Sequence, residues 1–256
     1  MNNVNKSDNS INNNLELFFL GQAGFIIKNR NNETLGFDLY LSDCVEKIEK
    51  SDSFKRLLPK IVNPKEISLD ILITSHHHYD HFDYDSMFDL MNNKKTKLFA
   101  AKDCKKFIDS LNIDNNKIEY VEQNDVKEYE GYKINFVNCD HGQLAPEAIG
   151  FVITVDNKKI YYTGDTCLRL DMIDEIKKIG DIDIMIAPIN GAYGNLNENE
   201  CVKLFETIKP KYIIPCHYGM FEAHGGDINK FIELMKTKNH FENLVVMNQG
   251  DHYIIK

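Results

Sequence analysis

The sequence predicts an α/β fold, and three observations predict it. Short apolar runs alternate with helix-like stretches between Leu69 and Leu111. From Tyr132 the pattern changes to strands at short intervals, joined by a hairpin turn. From Asp171 onward, helix and strand alternate again. No linker composition and no fixed-period repeat divides the chain. One domain is therefore expected over residues 15–256, behind a disordered, asparagine-rich tail at residues 1–14.

Taken in order, Leu15–Leu20 and Phe25–Lys28 read as strands, with Gly21-Gln22-Ala23-Gly24 as the turn between them. Thr34–Leu39 is a third strand. Ser51–Lys65 carries Lys55, Arg56, Lys60 and Lys65 and is punctuated by Pro59 and Pro64. It reads as a short helix and loop with a solvated basic face, or as a flap presenting cations to an anionic substrate. Leu69–Thr74 is a buried strand, Tyr84–Met91 a helix, Lys97–Ala100 a strand and Lys102–Leu111 a helix. Tyr132–Val137, Ala148–Val155 and Lys158–Tyr162 follow as strands, the last two joined by the turn Asp156-Asn157. Asp171–Ile179 is a helix and Ile182–Ile186 a buried strand. Asn197 caps a helix running to Ile208. Tyr212–Pro215 is a strand and Asp227–Lys236 a helix, with Asn243–Met247 and His252–Ile255 as closing strands.

Composition narrows the function classes. The chain has 256 residues, 43% hydrophobic and 27% charged, as in an ordinary globular enzyme-sized domain. A net charge of −9 argues against a general nucleic-acid or anionic-membrane binder. No apolar run is long enough for membrane insertion, and the N-terminus lacks a secretory pattern. The six cysteines form no Cys-x-x-Cys pair and read as small core residues of a reduced, cytoplasmic protein. A small-molecule substrate is the expected partner, and homo-oligomer formation stays open.

The chemistry concentrates after the strand at Leu69–Thr74, in Ser75-His76-His77-His78-Tyr79-Asp80-His81. Alternate side chains of extended chain share a side, so His76 and His78 can share one metal. A bend after Tyr79 turns Asp80 and His81 to a second position, with ions about 3.5–4 Å apart in typical dinuclear sites. More donors stand at other strand ends: His141, Asp165 after Gly164, and His217. A carboxylate has two oxygens, which suits Asp165 to bridging. Nitrogen and carboxylate donors without thiolate suit zinc, manganese or iron.

His76-x-His78-x-Asp80-His81, a lone His141, Gly164-Asp165 and a lone His217 resemble the metallo-β-lactamase superfamily. Leu20–Phe25, Leu41-Ser42-Asp43, Phe54–Leu57, Pro146–Phe151, Pro188–Gly191 and Pro215–Phe221 are similar to the branch typified by the L-ascorbate-6-phosphate lactonase UlaG. The resemblance implies a four-layer αβ/βα sandwich and two divalent ions, zinc or manganese. It implies His76, His78 and His141 on one ion, and Asp80, His81 and His217 on the other, with Asp165 bridging. It implies a lactonase-like hydrolase in which metal-activated hydroxide attacks a small lactone, phosphorylated or not, or a related ester. Asp80 would orient that nucleophile as the catalytic residue. The alternatives are a phosphodiesterase of phospholipid type or for small phosphodiesters, and a catalytically silent metal-binding scaffold.

Other residues carry weaker expectations. Asp38 ends a strand and is either an acceptor that fixes a ligand histidine or a turn aspartate. Cys167 is expected in a wall or core. Arg56, Asn190, Tyr193, Tyr218 and His224 are candidate substrate contacts. His77 and Tyr79 alternate with the donors and are given no metal role.

Overall fold

A computed structural model of the chain describes residues 14–92 and 95–256, so the tail expected at residues 1–14 lies almost wholly outside the described residues. The elements are β1 (Leu15–Gly21), β2 (Gly24–Lys28), β3 (Thr34–Phe37), α1 (Cys44–Glu49), β4 (Ile71–Thr74), α2 (Tyr84–Met91), β5 (Lys97–Ala101), α3 (Lys105–Ile108), β6 (Ile118–Val121), β7 (Val126–Tyr129), β8 (Tyr132–Asn138), β9 (Ile149–Val155), β10 (Lys158–Tyr162), α4 (Ile173–Ile179), β11 (Ile184–Pro188), α5 (Glu198–Ile208), β12 (Tyr212–Cys216), α6 (Ile228–Thr237) and β13 (His252–Ile255).

Two sheets are formed. One has the order β13-β1-β2-β3-β4-β5-β6, the other β12-β11-β10-β9-β8-β7. β1 to β3 pair antiparallel, as tight turns allow, whereas β3 to β6 pair parallel through crossovers. The second sheet repeats this change: β7 to β10 are antiparallel and β10 to β12 parallel. The sandwich follows from period-two burial. In β9 to β11, Phe151, Ile153, Ile160, Tyr162, Ile184 and Ile186 join the core shared with the first sheet. Their neighbours Val152, Tyr161, Met185 and Ala187 face a second core with Ile176, Phe205 and Phe231 from α4, α5 and α6. Met87, Leu90 and Met91 of α2 pack on the first sheet. Phe37 of β3 meets Phe151 at 5.3 Å and Tyr162 at 4.9 Å between ring centroids, which locks sheet to sheet. The α/β sandwich expected from the sequence is thus the observed architecture.

Local chemistry explains most boundaries. Asp156 and Asn157 take φ of 49° and 63°, the left-handed pair that a two-residue hairpin needs. Asn197 accepts from Glu200 N while Glu200 closes the capping box on α5. Several expectations are corrected. The helix expected over Lys102–Leu111 is a 3₁₀ turn and a single α turn, Lys105–Ile108. The basic segment Ser51–Lys65 holds only two 3₁₀ turns, Asp52–Phe54 and Pro64–Glu66. Asn243–Met247 is not a strand. It touches β12 through one bridge, Ile213 to Leu244, and Val245 N donates to Ile213 O at 2.9 Å. Among the described residues no helix is long and apolar enough to cross a membrane.

Candidate metal centre

The strands β3, β4, β8, β10, β11 and β12 all end at one edge of the sandwich, where their C-terminal loops meet, as ligand sites in open α/β sheets do. β4 runs into Ser75–His81. The loop turns because His81 N and Phe82 N both donate to His78 O, at 2.9 and 2.7 Å. That turn swings Asp80 and His81 away from His76 and His78. Asp165 follows Gly164, whose φ is 66°; a Cβ there would lie 2.9 Å from Ile149 O. Glycine is required by both the backbone and the neighbour.

The donors form two adjoining groups. His76 Nε2 lies 3.0 Å from His78 Nδ1, and His141 Nε2 lies 3.2 Å from the same atom. His217 Nε2 lies 3.1 Å from Asp80 Oδ2 and 3.1 Å from Asp165 Oδ2. His81 Nε2 lies 3.3 Å from Asp165 Oδ2 and 3.6 Å from Asp80 Oδ2. Asp165 Oδ2 is also 3.9 Å from His141 Nε2, so this one oxygen stands between the two groups.

Hydrogen bonds fix which ring nitrogens are bare. His81 Nδ1 lies 2.8 Å from Asp38 Oδ2, and that carboxylate can only accept, so Nδ1 carries the proton. Ser75 Oγ donates to Asp38 Oδ2 at 2.5 Å and therefore accepts from His76 Nδ1 at 2.9 Å. Asp38 thus turns Nε2 of both histidines, bare, toward the site. Tyr162 OH and Ser75 N donate to it as well, at 2.7 and 2.8 Å. The structure makes Asp38 an acceptor for His81 directly and for His76 through Ser75; its φ is 46°, a region that aspartate tolerates.

The arrangement fits a cation. His78 Nδ1 faces two ring nitrogens and carries at most one proton, so protons alone cannot satisfy the trio, whereas an ion accepts all the lone pairs. His81 Nε2 is buried without a hydrogen-bond partner. The charges agree. Burial, with neighbouring imidazoles adding to it, pushes His76 and His78 below the usual histidine range and His141 down to about 4, which favours the neutral, ligating form. In the second group burial also opposes charge, but the carboxylates win. Asp165 pulls His217 up to about 9, and Asp165 with Asp80 raises His81. Asp80 and Asp165 are in turn held well below the carboxylate range, against burial, by His81 and His217. The second group is a negative cage that draws in positive charge.

The weaker candidates divide. His224 is buried, stacks on His217 at 4.8 Å and lies 2.9 Å from Gln22 Nε2, so it lines the site. Tyr193 lines the cleft above the donors, while Asn190 and Tyr218 do not. Asn190 turns to Ala192 O at 3.4 Å, and Tyr218 packs on the outer core with α5 and α6. Arg56 is corrected too. Its guanidinium lies 4.7 Å over the Tyr40 ring and donates to Tyr40 O and Ser42 O. Lys55 pairs with Asp52 at 2.6 Å. Neither reaches the cleft. Cys167 faces Asn138, Tyr161 and Arg169, away from the donors. His77 turns to Asp103 at 2.8 Å and joins no donor group.

Two site residues were not legible. Gln22 is 1% exposed at φ 54°, and its Nε2 reaches Asp80 Oδ2 at 2.8 Å and His217 Nε2 at 3.1 Å. Asn195 Nδ2 donates to Asp165 Oδ2 at 2.8 Å. Both are neutral amides with no motif spacing. The one signal was a bulky polar residue in the tight turn Gly21-Gln22-Ala23-Gly24.

A family model described as a β-lactamase superfamily domain matches residues 16–217. A UPF0173 metal-dependent hydrolase of Saccharolobus solfataricus is 28% identical over 240 residues, covering 92% of this chain and 97% of that protein. Another, from Carboxydothermus hydrogenoformans, is 25% identical over 249 residues, covering 94% and 100%. Among solved structures, the isothiocyanate hydrolase from Delia radicum gut bacteria superposes with a TM-score of 0.79 at 16% identity, over 94% of this chain and 99% of that one. Igni18, a metallo hydrolase from Ignicoccus hospitalis, gives 0.73 at 17% identity, over 94% and 98%. At such identities the structural likeness shows a shared fold.

Proposed function

The chain belongs to the metallo-β-lactamase superfamily and is a metal-dependent hydrolase, and on that premise we propose that it opens a small lactone or related ester at a dinuclear centre. The observation that carries this reading is one carboxylate oxygen, Asp165 Oδ2, standing between a histidine trio and a mixed His/Asp group. His76, His78 and His141 would hold one ion, and Asp80, His81 and His217 the other, with Asp165 between them. Two divalent ions there, zinc or manganese, would supply a water activated near neutral pH and a polarised carbonyl.

The chain's own groups do the rest. Asp80 lines the cleft and is held ionised, so it can orient the attacking water and take its proton. The new bond joins water oxygen to the carbonyl carbon. The ring C–O bond breaks, and the proton passes from Asp80 to the leaving alkoxide. Gln22 fixes the Asp80 carboxylate, and Asn195 fixes that of Asp165, so neither must reorganise during the reaction.

Metal-replete protein assayed against lactones, phosphodiesters and β-lactams tests the proposal. Lactone turnover that chelation abolishes is the expected result. Turnover of phosphodiesters alone would replace the substrate class. No turnover with both ions bound would leave a metal-binding scaffold.

A further inference from the structure

The cleft over the donors encloses about 420 Å³. At about 30 Å³ for each non-hydrogen atom, the share of a water in the liquid, it holds about a dozen such atoms. Most of its wall away from the donors is apolar, Phe54, Tyr79, Phe107, Leu144 and Tyr193 among it, with Glu49 and Lys106 as the charged exceptions. Leu144 and Tyr193 are each 49% exposed, large apolar groups that the described residues leave half uncovered. Tyr193 holds a φ of 54°, a strained backbone for an aromatic residue, and so sets its ring at the cleft. Phe54 bridges inward, its ring 6.5 Å from Tyr193 and 5.8 Å from His224, so the apolar surface runs continuously from the mouth to the donor set.

The cations expected to read an anion are spent elsewhere. Arg56 and Lys55 are bound away from the cleft. Of the charged residues on the wall, Lys106 lays its ammonium 4.7 Å over the Phe107 ring, and Glu49 carries the opposite sign. Among the described residues no arginine, the bidentate partner of a phosphate or carboxylate, lines the cleft.

We propose that the arm of the substrate, the part remote from the bond that breaks, is uncharged and apolar, and that Phe54, Leu144 and Tyr193 hold it. This rests on the hydrolase reading above and specifies its substrate class. The sugar-phosphate type of substrate is thereby disfavoured in favour of an alkyl- or aryl-bearing lactone or ester.

The test uses two ladders on the metal-loaded protein. The first is γ-lactones bearing hydrogen, propyl or hexyl, with a hexyl analogue ending in carboxylate. The second is alkyl hydroxamates of the same lengths, scored by calorimetric Kd, since a hydroxamate anchors on the metals without turnover. Each methylene that enters the wall should raise kcat/KM, and tighten hydroxamate binding, about two- to fourfold. The terminal carboxylate should reverse the gain. Leu144→Ser and Tyr193→Asn, the latter keeping a residue that tolerates positive φ, should flatten both ladders at least threefold between the shortest and longest members. A sloped hydroxamate ladder without lactone turnover would end the lactone reading and leave the apolar wall standing. Ladders that are flat in wild type, or a preference for the carboxylate arm, would overturn the inference.

Discussion

Asp38 is the residue on which the centre turns, although it lies one step behind the donors. It accepts from His81, Ser75 and Tyr162, and through Ser75 it orients His76. Asp38→Asn would keep the shape and lose an acceptor, leaving an amide N–H against one of these donors. Metal affinity, read by chelator competition, should fall about 10- to 100-fold while the fold survives. Arg56 makes the opposite point. It braces the Tyr40–Ser42 loop by two carbonyls and a ring. Arg56→Ala should therefore cost about 1–2 kcal/mol of stability in denaturant unfolding. It should leave the ratio of kcat/KM between an anionic and a neutral lactone unchanged. At this scale the sequence singled out the imidazoles and carboxylates that the fold gathers into groups able to hold a metal, because those residue types are few and their spacing is constrained. It did not show Gln22, whose partners Asp80 and His217 lie 58 and 195 positions away. A neutral amide announces nothing until the fold brings its partners to it.

Among the elements, legibility followed periodicity. Strands of β9 to β12 read clearly because both faces are buried against neighbouring layers. β7, Val-Lys-Glu-Tyr at an exposed sheet edge, has almost no buried face and gave no apolar signal. Asn243–Met247 has the composition of a strand, yet only its first residues find β12. A polar tie joins the outer helices α5 and α6 at one end. Glu198 opens α5, takes Lys230 of α6 at 2.9 Å and accepts from Asp227 N at 3.0 Å. Burial opposes its charge, but these partners outweigh it and lower its pKa from 4.5. A depressed folded pKa means stability that is present above the unfolded value and lost as pH falls through the folded one. Glu198→Gln should thus cost about 1 kcal/mol at pH 7, discounted because Lys230 is half exposed. That deficit should shrink below about pH 4.5, as thermal unfolding at stepped pH would register. A deficit constant with pH would mean that packing, not the carboxylate, ties the helices.

In the whole molecule, the centre stands on a sandwich that closes without it. The aromatic contacts of Phe37 with Phe151 and Tyr162 belong to the core, below the donor loops. Stripping metal with a chelator should therefore abolish hydrolysis and leave the far-ultraviolet circular dichroism intact. At free metal about 100 times its Kd, each bound ion adds about 2.7 kcal/mol, so Tm should drop by about 5–10 °C per ion lost. Collapse of the dichroism would show that the ions hold the fold together. The Asp38–Tyr162 bond has a further consequence. Asp38, Ser75, His76 and His81 lie early in the chain, and Tyr162 follows 124 residues after Asp38. A ribosome releases β1 to β6 well before the hydroxyl that completes the clamp, and the last strand of the first sheet, β13, only at the end. Until β10 emerges, Asp38 can take His81 and Ser75 but lacks its third partner, the Tyr162 hydroxyl. The set of donors on Asp38 is therefore complete only once the second sheet has closed on the first.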